Sequence, residues 1–290
     1  MWCGILGTGN IGIDLSLKLR KNKKNKISVF NLNPNSNGAK YCKSKKLDYS
    51  SKGIKDVIKN LDNLDIIFDT TNSESNLKHY KLLKTKKKFL INLTPSKIGN
   101  FYIPYIDEKK SLKSKSFNLI TCGGQSSIPI IFEISKKIRN IKYIEIVSAI
   151  SSKSAGMATR ANINEYLDIT SKAVKQYTGI KNVKIILNIN PGEPPVNMSN
   201  SLYFEFKKNL SNSNIKEVRR IISKINKKMS RYAKGFNSKF IGQLDDNILK
   251  VKIEVMGDGD YLPKYSGNLD IITNMAKNIV ARISKEFSNN

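Results

Sequence analysis

The first dozen residues limit the fold more than any other stretch. Trp2 to Leu6 is a short apolar run, and Gly7-Thr8-Gly9-Asn10-Ile11-Gly12 follows at once. A segment carrying Ile13, Leu15, Leu17 and Leu19 then reads as a helix. Strand, glycine-rich turn and helix in this order make the Gly-x-Gly-x-x-Gly arrangement of a dinucleotide-binding βαβ unit. Gly7 permits the tight turn, Gly9 lets a pyrophosphate approach the backbone, and Gly12 lets the helix pack close to the strand. The bland alternative is a glycine-rich loop in some other doubly wound protein.

The next hundred residues continue the alternation. Ile27 to Leu32 reads as a second strand, Ile54 to Leu61 as a short helix, and Asp65 to Thr71 as a buried strand ending in small polar residues. Leu77 to Leu83 is helical and carries His79, the single histidine; its lysine and tyrosine neighbours predict a surface role. Phe89 to Leu93 is a strand, and Ile103 to Ile106 and Phe117 to Ile120 complete the pattern. A parallel sheet with helices on both faces follows. A dinucleotide fold usually ends its second strand with an acid that holds the ribose. Asn33 stands here instead, able to hydrogen-bond a ribose hydroxyl but uncharged, so selectivity for NAD over NADP is less secure.

Thr121-Cys122-Gly123-Gly124-Gln125-Ser126-Ser127-Ile128-Pro129 is the stretch that carries chemistry. A strand-like run delivers a thiol onto a glycine-rich turn. The helix beyond it is expected over 128–138, with Ser127 as N-cap and Pro129 in the first turn. Facing that helix N-terminus, Cys122 would tend towards the thiolate, and the same N–H groups would hold an oxyanion formed on attack at a carbonyl. The structural alternative is a buried free cysteine. Cys42 reads as packing.

With 51 Lys plus Arg against 23 Asp plus Glu, the net charge is +28, which points towards polyanions. The lysines are scattered rather than clustered, and Asn, Ile and Ser are as heavily used. AT-rich codon usage explains that pattern without a selected nucleic-acid ligand. Three cysteines without paired spacing argue against disulfides and against a metal site, and suit a reducing, cytoplasmic setting. No signal peptide and no membrane span is expected.

After Cys122 the pattern changes. Lys142 to Ile150 is a strand leading into a loop of small, hydroxylated and basic residues, Ser151 to Asn162, suited to an anionic cofactor or to an ordinary connection. A helix over 164–177 follows. Strands are expected over 183–189, 202–206 and 248–256, with a helix over 215–231. The final helix, over 271–287, has apolar residues at helical spacing. The fold class is therefore α/β, a Rossmann-like doubly wound parallel sheet with a second, α+β domain built on an antiparallel sheet. The division expected is 1–122, completed by a returning segment over 269–290, and 123–268 for catalysis and dimerisation.

A dinucleotide fingerprint with a helix-flanked cysteine suggests thiol-assisted aldehyde oxidation, with water, phosphate or a thiol as acyl acceptor. The chain resembles, almost end to end, the acylating acetaldehyde dehydrogenases that work beside a 4-hydroxy-2-oxoacid aldolase. The resemblance rests on residues 7–12, Leu93-Thr94-Pro95, Thr121 to Gln125, Ser152 to Gly156, Thr159 to Asn162, Glu193-Pro194-Pro195, Tyr261-Leu262-Pro263 and Gly267 to Asp270. It implies oxidation of acetaldehyde or a short homologue to acetyl-CoA, with NAD as cofactor and coenzyme A as co-substrate, and Cys122 as the acyl-thioester nucleophile. It also implies a homodimer, an aldolase partner, and a place in aromatic-compound breakdown.

Cofactor contacts are expected at Gly7, Thr8, Gly9, Asn10, Ile11 and Gly12, at Asn33, and at Asn268. They are also expected along Ser154, Ala155, Gly156, Met157, Ala158, Thr159, Arg160, Ala161 and Asn162. The chain departs from the family pattern at Asn33 and at Met157-Ala158, where Pro-Gly is usual. It departs again at Asn200, which matches an acid considered as general base, and in a shorter stretch between Arg231 and Val251. The alternative is a catalytically degenerate NAD-binding or aldolase-scaffold protein of the same fold.

Overall fold

The computed structural model describes residues 1–288; the side chain of Ala158 and residues 289–290, the end of the segment expected over 269–290, lie outside the described residues. Two compact units emerge, one formed by Met1–Ile120 with Ile272–Asn290 and the other by Thr121–Ile271.

The first unit opens with β1 (Trp2–Leu6), α1 (Asn10–Arg20), β2 (Lys26–Phe30), α2 (Asn37–Ser44), β3 (Asp48–Ser50) and α3 (Ile54–Lys59). It continues with β4 (Ile66–Asp69), α4 (Ser73–Leu83), β5 (Phe89–Asn92), β6 (Asn100–Phe101), α5 (Pro104–Asp107) and β7 (Ser116–Asn118). Among the described residues these strands form one sheet of seven in the order β3-β2-β1-β4-β5-β7-β6, every neighbouring pair parallel. Parallel strands covered on both faces are largely apolar, and β1, β2 and β4 follow this, with Ile5, Val29 and Phe68 fully buried and Ser28 and Asp69 the buried polar exceptions in these strands. The order reverses between β1 and β4, so the glycine loop after β1 opens at the switch point where such sheets bind ligands.

The second unit contains α6 (Cys122–Lys137), β8 (Ile141–Ser151), α7 (Met157–Ala161), α8 (Ile163–Thr178), β9 (Val183–Asn190) and β10 (Met198–Phe206). Then come α9 (Asn212–Met229), β11 (Phe236–Asp245), β12 (Ile248–Val255) and the start of α10 (Gly267–Ser288). The sheet order is β11-β12-β10-β8-β9. Neighbours are antiparallel except β8 and β9, which run parallel because α8 connects them as a crossover. The sheet is thus mixed rather than wholly antiparallel. β11 had no counterpart in the sequence reading: its alternation is weak and its register shifts around Gly242.

One face of this sheet is buried under α6, α8 and α9. β10 contributes Met198, Leu202, Phe204 and Phe206 to that face, β8 contributes Ile144, Ile146 and Ile150, and β12 contributes Leu249, Val251 and Ile253. Two polar residues interrupt the apolar row. Ser148 and Asn200 are both fully buried, and they are paired in register across β8 and β10. Polar side chains in such a place need partners, and theirs lie on α6 and α8.

The helix bearing the cysteine begins earlier than its sequence suggests. Cys122 is its first residue, Thr121 is the N-cap, and Pro129 lies inside it rather than in its first turn. Ser127 is therefore an interior residue. The cap forms because Gly124 N–H donates to Thr121 Oγ1 at 3.0 Å. The glycines and serines that looked like a turn are held helical from outside: Ser126 is buried and bonded to Asn200.

Candidate active site

Cys122 sits at the first position of α6 and is partly exposed, whereas Cys3 and Cys42 are buried. Its thiol lies 4.0 Å from the hydroxyl of Tyr166 on α8, at the outer limit for a sulfur hydrogen bond, with the S–H donating. The Tyr166 hydroxyl in turn donates to Ser148 Oγ at 3.4 Å. Gly123 makes this approach possible, since a Cβ there would stand 2.1 Å from the Tyr166 oxygen and 2.9 Å from Ser148 Oγ.

Two further sets of bonds fix the start of α6. Thr170 Oγ1 donates to the Tyr166 carbonyl at 2.6 Å, which leaves Thr121 Oγ1 to donate to Thr170 Oγ1 at 2.7 Å. One turn on, Asn200 Nδ2 donates to Ser126 Oγ at 2.6 Å and to Ser127 Oγ at 2.8 Å. The Ser126 hydroxyl donates to the Cys122 carbonyl at 2.8 Å. Asn200 thus anchors the segment that carries the cysteine; its own Oδ1 is buried without a partner.

Burial decides the charge on the sulfur. It pushes the Cys122 thiol up to about 11, while the Tyr166 hydroxyl and the Gly123 N–H pull the other way. The expectation of a resting thiolate is corrected accordingly: at neutral pH the thiol keeps its proton. Tyr166 is raised well above the usual phenol range, by its burial and by the neighbouring Cys122.

The loop beyond β8 brings several of the expected cofactor residues together. Ser154 is buried, its Oγ donating to the Ser151 carbonyl at 2.8 Å, and Asn268 Nδ2 reaches the Ser154 carbonyl at 3.4 Å. Asn268 Oδ1 is buried without a partner. Ala155 and Asn162 are buried, nothing lies within 4 Å of a Cβ built on Gly156, and Met157 is 90% exposed. Thr159 and Ala161 flank Arg160 on α7. Arg160 braces its own loop, donating to the Ala155 and Ser152 carbonyls at 3.1 and 3.3 Å and to Ser152 Oγ at 2.8 Å. Lys153 and Glu193 form an exposed ion pair at 2.8 Å. Ala158 lies on α7, but its side chain falls outside the described residues.

The glycine loop of the first unit has the geometry its spacing predicts. Gly7 has φ +106°, a Cβ on Gly12 would stand 2.1 Å from the Gly7 carbonyl oxygen, and nothing lies within 4 Å of one on Gly9. Asn10 and Ile11 open α1, and no side chain caps it. Thr8 is buried, its Oγ1 3.3 Å from Ser36 Oγ. Asn33 is exposed, its side chain accepting from Asn35 N–H. These residues fit a dinucleotide: a left-handed turn, open space over Gly9 and an uncapped helix end are what a pyrophosphate needs.

His79 is not the surface residue its neighbours suggested. It is only 11% exposed and meets Asp69 at 2.7 Å in the first unit. The sequence reading also missed Tyr166 and Ser148. Tyr166 falls with Ile169, Thr170, Ala173 and Val174 on the buried stripe of α8, and a phenol on such a stripe is the one signal that marked it. Among the described residues no group of three or more His, Cys, Asp or Glu could hold a metal ion, and no helix is long and apolar enough to cross a membrane.

In architecture the chain has the fold of a semialdehyde dehydrogenase. Aspartate semialdehyde dehydrogenase II of Vibrio cholerae, solved in complex with ASA, matches with a TM-score of 0.64 over 97% of this chain and 98% of its own, at 10% identity. Sequence is more specific. The family model for "Prokaryotic acetaldehyde dehydrogenase, dimerisation" matches residues 122–263. The acetaldehyde dehydrogenase of Pectobacterium atrosepticum is 38% identical over 97% of this chain and 95% of its own. That of Geobacillus stearothermophilus is 38% identical with the same coverage, and that of Carboxydothermus hydrogenoformans is 38% identical over 98% and 93%. The chain belongs to the acetaldehyde dehydrogenase family.

Proposed function

We propose that this chain oxidises acetaldehyde, or a short aliphatic aldehyde, to the acyl-CoA with NAD, through a thioester on Cys122. The observation that carries the reading is a partly exposed cysteine at the first position of a capped helix, backed by a phenol and a serine. Family membership supports aldehyde oxidation as the reaction class.

On this reading Cys122 gives its proton to water and its sulfur bonds the aldehyde carbon. The new oxyanion forms where the N–H end of α6 supplies donors. The aldehyde hydrogen leaves with its electron pair, and the carbon on Cys122 becomes a thioester. NAD, when bound, supplies the acceptor for that hydride. The thiol of coenzyme A then attacks the thioester carbonyl, and Cys122 departs as thiolate.

Residues 7–12 would hold the pyrophosphate, and the Ser154–Asn162 loop with Asn268 would hold the remainder; the unpartnered Asn268 Oδ1 is an acceptor suited to an amide N–H. Asn33, uncharged, would meet the ribose. The second unit would pair with a second copy, as the family description implies, and an aldolase would deliver the aldehyde.

The test is NADH formation from acetaldehyde and NAD with coenzyme A, phosphate or water as acceptor in turn. NADH is expected with coenzyme A alone, and Cys122→Ala should abolish it. A phosphate requirement would point instead to a phosphorylating dehydrogenase.

A second reading is a catalytically silent NAD-binding or aldolase-scaffold protein. The amide at Asn200 and the thiol pushed up to about 11 favour it. Tight NAD binding with no acyl group on Cys122 by mass spectrometry would decide for it.

A further inference from the structure

We propose that Tyr166 is a positioning residue for Cys122, its hydroxyl accepting from the thiol at rest and turning to donate to the thiolate once the proton has left. Three observations carry this. The phenol oxygen lies 4.0 Å from the sulfur and 3.4 Å from Ser148 Oγ, with the Thr121 side chain also against it. Both contacts are built in, since Gly123 removes the side chain that would block the phenol, and Ser148 is a polar residue inserted into the apolar face of the second sheet. The tyrosine backbone is itself tied to the N-cap of the cysteine helix through Thr170 and Thr121.

The proton count closes without any covalent change in tyrosine. At rest the S–H donates to the phenol oxygen and the phenol O–H donates to Ser148. When an aldehyde approaches, the thiol gives its proton to water. The phenol O–H then swings from Ser148 to the sulfur and stabilises the anion it now faces. Ser148 serves as a parking place for the O–H in the resting state.

The inference rests on Cys122 as the nucleophile, but its test needs neither aldehyde nor cofactor. The rate of iodoacetamide labelling of Cys122, followed by peptide mass spectrometry against pH, reports the thiolate fraction. Tyr166→Phe removes one oxygen and keeps the ring. The labelling midpoint should rise above its value in the unaltered protein, with about tenfold slower labelling near neutral pH and the same limiting rate in alkali. A tyrosine that only filled space would give the opposite sign. Loosened packing would hydrate the sulfur and bring the midpoint down towards the ordinary thiol value. An unchanged or lowered midpoint in Tyr166→Phe therefore overturns the proposal.

Ser148→Ala supplies an independent arm should the first variant not fold. Without its resting acceptor the phenol O–H turns to the sulfur more readily, so the midpoint should fall in Ser148→Ala, and the fall should vanish when Ser148→Ala is combined with Tyr166→Phe, whereas loosened packing would lower it in both. No change, or a rise, counts against the assignment. NADH formation measured separately keeps the two readings apart, since a tyrosine-dependent profile with no turnover would sink the dehydrogenase reading alone.

Discussion

Cys122 keeps its proton at neutral pH because the protein around it withdraws the water a thiolate needs, and this links the thiol to stability. The folded-state value is about 11 for Cys122 and about 12 for Cys3, against 9.0 for an ordinary thiol. Between those limits the native state binds protons that the unfolded chain releases. The stabilisation is complete below about pH 9 and is lost as pH rises towards 11 and 12. Unfolding free energies from urea titrations should fall from about pH 8 upward, and should fall less steeply in Cys122→Ala, by on the order of 2 kcal/mol less at the alkaline end. Parallel curves for the two proteins would contradict this. At the same scale, sequence showed the thiol and its glycine-rich flank, because the chain writes them consecutively. It could not show Tyr166 or Ser148, which lie 44 and 26 positions from the thiol along the chain, because only the packing of α8 and β8 against α6 brings them together.

Helix boundaries were where sequence and structure parted. The stretch from Gly123 to Ser127 has poor helix formers, and Ser127 before an apolar run imitates an N-cap. The fold overrides both signals with bonds from outside the segment, from Asn200 to the two serines and from Thr121 to Thr170. The glycine loop before α1 was legible because its constraints are local. Its three glycines do different work, and this can be separated. Gly12→Ala must push against the Gly7 carbonyl 2.1 Å away and should destabilise the first unit by about 2 kcal/mol or more. Gly9→Ala meets nothing within 4 Å and has φ −72°, so the melting temperature should hold while NAD affinity falls, by calorimetric titration. Equal loss of stability in both variants would refute this division of labour.

Charge is a property of the whole molecule. A net +28 on 290 residues creates self-repulsion that no single ion pair cancels, and the exposed pairs, such as Lys78–Glu74, contribute little. Added sodium chloride should therefore raise the melting temperature. Going from about 20 to about 300 mM shortens the screening length to about 6 Å, and each kcal/mol of repulsion relieved is worth about 2–4 °C. A melting temperature indifferent to salt would show the lysines too dispersed to matter. Fold class was legible at this scale, since strand and helix alternation over the first hundred residues admits few arrangements. The parallel β8–β9 pair was not, because strand direction depends on a crossover helix rather than on any pattern within the strands.

The first unit is assembled from two distant pieces of chain, and residues 272–288 supply one of them. Its seam is a buried trio in which Lys18 reaches Asp14 at 2.7 Å and Thr273 at 2.8 Å, with Thr273 bonded to Asp14 as well. On the ribosome the amino-terminal sheet emerges first, and yet Lys18 and Asp14 must wait for Thr273, which is made more than two hundred residues later. The second unit is continuous and can close while that wait lasts. A transcript cut short before codon 273 would yield a sheet with an open flank and a buried-type lysine left facing water. The returning helix therefore ties the last-made piece of the first unit to its first helix through three buried polar side chains.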